Sequence, residues 1–185
     1  MAIFTNMEAV KLQKHGIAET TGLAATENGF LYDLIVRDGE NKEISVDNGV
    51  AVKVGTMTGD GLQTRYATIA GEGDKIAFVA DVPVIKVAFT KAQADEWNFT
   101  NRAGKPVRAY EVLNKNTEMF GIADYQITSG TVTKGAKVVV DGNGGWKIEA
   151  NPSASTYGFI GEVADIAKAM NSTIVRISVV QNVQL

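Results

Sequence analysis

The sequence predicts a mainly β protein: two small β-barrel or β-sandwich modules, one short helix and an N-terminal arm. Three observations lead there. Apolar, β-branched runs of strand length recur between clusters of Gly, Asn and Asp. Nineteen glycines stand against three prolines, which suits tight turns better than extended linkers. The chain also echoes itself. Gly49-Val50-Ala51-Val52-Lys53-Val54 matches Gly135-Ala136-Lys137-Val138-Val139-Val140, and Phe78-Val79-Ala80-Asp81-Val82 matches Phe159-Ile160-Gly161-Glu162-Val163. Two similar β-modules explain the echo, and so does coincidence among Val/Gly-rich strands. The organisation that follows is an arm over 1–16, a β-rich domain over 17–113 and a second β-domain over 114–185.

In chain order, Met1 to Lys14 places Ile3, Phe4 and Met7 at loosely helical spacing among basic residues. That pattern fits an amphipathic arm packed on its own domain or docked on a partner. Residues 16–28 read as a weak connector. Phe30 to Val36 is the first clear strand, followed by shorter extended runs at Ile44–Val46, Val50–Gly55 and Leu62–Ala70. Ile76 to Val87 is apolar and β-branched but interrupted by Pro83, which cannot donate to a ladder. Lys91 to Trp97 is the one helix expected, with Thr90 as cap and Gln93 completing a capping box. Val107–Leu113 alternates as a strand, and Tyr125–Ile127 reads as short and extended. Val138–Val140, Trp146–Glu149, Tyr157–Val163 and Ser172–Val180 complete the second module. Asp141-Gly142-Asn143-Gly144-Gly145 supplies a hairpin turn between two of these strands.

Composition removes several functions. There is no cysteine, so disulfides, thiol catalysis and Cys-based zinc sites are excluded. A net charge of −3 disfavours a nucleic-acid coat, which needs basic surface to neutralise phosphates. No apolar run approaches the ~20 residues that span a bilayer, and Met1 to Glu8 lacks the pattern of a secretory signal.

The candidate sites are few. Asp141 to Gly145 begins like a calcium loop, but Trp146, Lys147 and Ile148 stand where further ligands belong, and Lys147 repels a cation. His15 is the only histidine and has no serine nucleophile motif beside it, so neither a triad nor a multi-histidine metal site can be assembled. Asp95 and Glu96 point to different helix faces. No catalytic, metal or cofactor residue is assigned, and an enzyme is not expected. Trp97, Phe99 and Trp146 are either core aromatics, the reading that the general burial of tryptophan favours, or interface anchors; Trp146 sits directly after a turn, a position open to partial exposure. Ile3, Phe4 and Met7 join them as interface candidates.

The order Lys134-Gly135-Ala136-Lys137-Val138-Val139-Val140-Asp141-Gly142, then Gly145-Trp146-Lys147-Ile148, then Tyr157-Gly158-Phe159-Ile160-Gly161-Glu162-Val163-Ala164, then Ser172-Thr173-Ile174-Val175-Arg176-Ile177 resembles the small β-domain of bacteriophage capsid decoration (cement) and head-fibre proteins. Ile76 to Val84 and Asn101 to Tyr110 are similar to the preceding domain of some of them. The likeness spans about residues 45–181 and rests on Gly/Val patterns. It implies a structural virion protein on the outer capsid surface, synthesised in the host cytoplasm and bound to the major capsid protein. A homotrimer is implied too, with the N-terminal arm as the preferred capsid contact. This chain departs from the shortest members in its long N-terminal half, which leaves open which half grips the shell. The alternative is a surface β-module that binds host cell-wall glycan by stacking on Trp146 or Trp97.

Overall fold

The computed structural model describes residues 15–20, 31–59, 61–82, 99–113, 119–169 and 172–185. The protein is mainly β. Strands β2 (Leu31–Arg37), β3 (Ala51–Met57), β4 (Arg65–Ile69), β5 (Ala77–Val79) and β6 (Val107–Glu111) close a barrel in the order β2-β4-β3-β5-β6. The remaining strands are β1 (Ala18–Glu19), β7 (Met119–Ala123), β8 (Ile127–Ser129), β9 (Lys137–Val140), β10 (Trp146–Ile148), β11 (Phe159–Ala169) and β12 (Ser172–Asn182). They form a seven-stranded sheet ordered β1-β7-β12-β11-β9-β10-β8.

The two assemblies share one topology. In the barrel β4-β3-β5-β6 is an antiparallel series, and in the sheet β10-β9-β11-β12 is the same series. The first half of β2 pairs antiparallel with β6, and its second half pairs parallel with β4. In the sheet two strands share these pairings, β7 running antiparallel to β12 and β8 parallel to β10. A 3-10 turn over Asp124–Gln126 separates β7 from β8. One five-strand plan is therefore used twice, continuous in the first copy and broken at its opening strand in the second. The echo seen in sequence falls on equivalent strands with a shifted register. Val52 lies opposite Ala77, one residue before Phe78, whereas Val138 lies opposite Gly161, two residues after Phe159.

The unbroken apolar run Ile76 to Ala80 has a simple cause: both of its faces are buried. Ala77 and Val79 point into the barrel with Leu34, Val52 and Val107. Ile76, Phe78 and Ala80 point the other way, into the core beneath the sheet, where Phe120, Ile122, Val138, Trp146, Phe159 and Ile177 lie. A strand buried on both sides has no polar face to alternate with. Phe78 meets Phe120 at 4.6 Å between ring centroids. Phe120 is 5.3 Å from Trp146 and 6.0 Å from Phe159. The barrel thus ends in the sheet's own core.

Trp146 takes the core side of its two readings, 1 % exposed, because β10 turns its indole onto the barrel, where Nε1 donates to the Gly49 carbonyl at 2.7 Å. Several elements differ from the sequence reading. Ala18–Glu19, read as connector, is a strand paired with β7. Tyr125 and Gln126 are not extended; they complete the 3-10 turn, and β8 starts only at Ile127. Ile44–Val46 forms no strand, though Val46 bridges Asn101. The helix expected over Lys91–Trp97 and the bend at Pro83 lie outside the described residues.

Polar side chains complete the junction. Asn182 is buried and acts like a short piece of strand. Its Oδ1 accepts from Ile76 N–H at 2.8 Å, and its Nδ2 donates to Ile76 O at 2.9 Å and Val112 O at 2.7 Å. Truncation to alanine leaves those backbone groups unpaired and buried. Asn182→Ala is expected to lower stability by about 3 kcal/mol. Because the core is shared, wild type should unfold in one step, with tryptophan fluorescence and far-UV circular dichroism superimposed in urea. Two separated transitions would show that barrel and sheet unfold independently.

Candidate interaction surface

Among the described residues, large apolar side chains reach solvent at several places, Val82 and Leu185 among them, and two of these places lie at the ends of antiparallel strand pairs. One is the β3–β4 connection, where Met57 is 55 % and Leu62 66 % exposed. The other is the outer half of the β11–β12 hairpin, where Ile166 is 39 % exposed. β9 covers β11 only as far as Glu162, and Gly135 and Ala136 continue the cover to Val163. Beyond it, among the described residues, the outer edge of Asp165 to Ala169 has no strand beside it. A bulge between Val163 and Asp165 and the exposed Lys168 are devices that keep such an edge from pairing at random.

The polar face of the sheet is organised around a missing side chain. Gly121 lies between Glu19 and Arg176 on neighbouring strands. A Cβ there would stand 2.7 Å from Glu19 Oε2 and 2.9 Å from Ile174. With glycine in place, Arg176 reaches across β7 and donates to both Glu19 oxygens at 3.0 Å. On its other side Arg176 lies 3.6 Å from Asp165. The carboxylates, Glu19 foremost, hold the Arg176 guanidinium above its usual range.

The segment around β1 is fixed at further points. Tyr125 donates its hydroxyl to the His15 carbonyl at 2.7 Å. Gln126 Oε1 accepts from Ile17 N–H and Ala123 N–H, each at 2.9 Å, and its Nε2 donates to Asn48 O at 3.0 Å. The His15 ring stands 2.9 Å from Asp47. Asn48, itself buried, accepts from Asp81 N–H and Asn101 Nδ2 and donates to Asp81 O. One short segment therefore ties barrel and sheet together.

Among the described residues, the most enclosed carboxylate is Glu111 on β6, 8 % exposed. Tyr32 donates to its Oε2 at 2.7 Å, and Lys75 pairs with its other oxygen. Each oxygen of this acid is held by a partner, which leaves the group as a structural support. Burial first, then the Glu111 hydrogen bond and charge, push the Tyr32 hydroxyl up to about 12. Burial, followed by the charges of Asp124 and Asp47, pushes Tyr125 up to about 12. Among the described residues, no group of three or more His, Asp or Glu could hold a metal ion. In the hairpin turn, Asp141 Oδ1 accepts from the Asn143 and Gly145 N–H groups of the same turn. Lys147, the residue that argues against calcium there, pairs with Glu72 at 2.7 Å.

No family model, curated protein or solved structure matches this chain.

Of the interface candidates read from sequence, Phe99 is half-buried. Trp146 sits in the shared core and cannot stack on a glycan from there. Ile3, Phe4, Met7 and Trp97 lie outside the described residues. The ladder through Gly121 and the Gln126 knot escaped the sequence reading, since their partners are about 80 to 160 residues apart.

Two outcomes test this arrangement. Gly121→Val places branched carbons in the Glu19–Arg176 path, so β1 should detach and residues 15–20 become the first site of limited proteolysis; unchanged protection would refute the steric account. Both raised tyrosines hold their protons more tightly when folded than at the ordinary value of about 10. Their contribution is whole below pH about 10 and is lost as pH rises through about 12. In an alkaline titration followed by phenolate absorbance, two of the five tyrosines should ionise late, alongside unfolding, and Tyr32→Phe should leave one. Five tyrosines titrating together in a native protein would contradict this.

Proposed function

We propose that this protein is a structural virion component that decorates and stabilises the outside of a tailed-phage head. The observation that carries the reading is the weld between barrel and sheet: one core, with Phe78 from the barrel inserted among Phe120, Trp146 and Phe159. A cement protein strengthens a shell by bridging neighbouring capsomers, and a bridge resists load only if it does not part in its own middle. Two modules with separate cores and a linker between them would yield at the linker. Here apolar packing, the Asn182 bonds and the Trp146–Gly49 bond cross the junction together.

The Gly/Val order of residues 45–181 supports the same reading through its likeness to decoration and head-fibre proteins. The partner is the major capsid protein, and the assembly a homotrimer. Adhesion of this kind needs exposed apolar anchors inside a polar rim. The β3–β4 connection and the outer β11–β12 hairpin are two of the described places that offer them. The charge of −3 suits an exterior surface better than contact with packaged DNA.

The test is direct. Purified protein is mixed with undecorated phage heads and imaged by electron microscopy. Ordered density at repeated positions on the exterior is the expected result, weakened by a Met57→Ser, Leu62→Ser double variant or by Ile166→Asp. Attachment only to host envelopes would overturn the proposal in favour of the glycan-binding alternative.

A further inference from the structure

An asparagine followed by glycine carries a latent reaction of its own, and the fold treats two such pairs very differently. Asn48-Gly49 is locked. Asn48 is 4 % exposed, its carboxamide is held by Asp81 and Asn101, and the Gly49 N–H donates to Val79 O at 2.7 Å. Asn143-Gly144 is not held in this way, although Gly144 itself is buried. Asn143 is exposed on the β9–β10 turn. Among the described residues, no hydrogen bond holds its carboxamide, and none engages the Gly144 N–H. We infer that Asn143 is a site of spontaneous deamidation, and that Asn48, with the same dipeptide sequence, is protected by the fold.

The step balances within the turn. Base removes the Gly144 amide proton, and the nitrogen attacks Cγ of Asn143. The new N–Cγ bond closes a succinimide ring. The Cγ–Nδ2 bond breaks, and Nδ2 takes up a proton and leaves as ammonia. Water then opens the ring at either carbonyl, giving aspartate or isoaspartate. No catalyst beyond solvent base is required.

The position gives the change a consequence. Gly144 holds a φ of +75°, and its carbonyl accepts from Ala51 N–H at 2.8 Å, one of the bonds that join sheet to barrel. Isoaspartate inserts an extra methylene into the backbone of the residue preceding that carbonyl. Either product sets a new carboxylate beside Asp141, a like charge in the same turn. Deamidated molecules therefore have a loosened junction.

The experiment incubates the full chain in warm, mildly alkaline buffer and maps peptides by mass spectrometry. The expected result is a progressive amide-to-acid mass gain in the peptide carrying Asn143 and none in the peptide carrying Asn48. Asn28-Gly29 lies outside the described residues and is read as its own peptide. Asn143→Gln closes a larger ring more slowly and should abolish the gain in the turn peptide. The acidic fraction, separated by ion exchange and confirmed as modified at Asn143, should melt at a lower temperature than unmodified protein. Conversion of Asn48 as fast as Asn143 would overturn the inference. So would an unchanged Asn143 peptide over the interval in which the excised turn peptide converts.

Discussion

The burial of Trp146 and Phe120 against Phe78 is the contact on which the rest of the molecule depends. Phe78 belongs to a strand whose alternate residues fill the barrel, so whatever positions Phe78 also positions Ala77 and Val79. Trp146 supplies the polar counterpart, its N–H satisfied by Gly49 inside the junction. A buried indole without that acceptor would carry an unpaired donor at a cost of about 1–3 kcal/mol. Large aromatic rings in tilted and edge-on arrangements also fix relative orientation in a way that aliphatic packing does not. Barrel and sheet are consequently two halves of one packing problem.

The backbone at the seams is completed by side chains. Asn182 supplies Ile76 with the pair of bonds that a neighbouring strand would give. Gln126 Oε1 accepts the N–H groups of Ile17 and Ala123 at the point where the second copy of the five-strand plan is broken. Buried amide groups must be paired somewhere, and a break in a ladder creates orphans. Carboxamides suit this role because each carries both an acceptor and two donors. The split between β7 and β8 is tolerated since Gln126 repairs it, while β1 covers the edge of β7 at Ala18 and Glu19.

The sequence displayed the strands well and their partners poorly. Val138 to Val140, Val175 to Val179 and the Ile76–Val87 run, of which Ala77–Val79 is strand among the described residues, stood out as β because burial selects branched apolar residues, and that selection is visible one residue at a time. The hairpin at Asp141 to Gly145 was legible for the same local reason. Trp146 kept a core and an interface reading side by side because its position after a turn permits exposure, whereas its environment is set by Gly49, 97 residues away. Ala18–Glu19 was invisible as a strand: two residues carry no periodicity, and its partner β7 lies far along the chain. The internal echo pointed to real equivalents, yet its register was misaligned, since Val and Gly recur too often to fix an offset. The candidate surface could not be read ahead of the fold. Exposed Met57, Leu62 and Ile166 look like core residues until the strands are paired.

A strand buried on both sides has an implication for synthesis. When residues 31–111 have left the ribosome, the barrel can close around Leu34, Val52 and Val79, but Ile76 and Phe78 still face water. Their cover, Phe120 through Val179, is translated afterwards, and β1 must wait for β7 before it has anything to join. Each nascent chain therefore passes through an interval with a greasy barrel end on view, when neighbouring polysomes are the nearest alternative cover. The order of the modules along the gene product thus makes crowding during translation, rather than the finished fold, the moment of greatest exposure to aggregation.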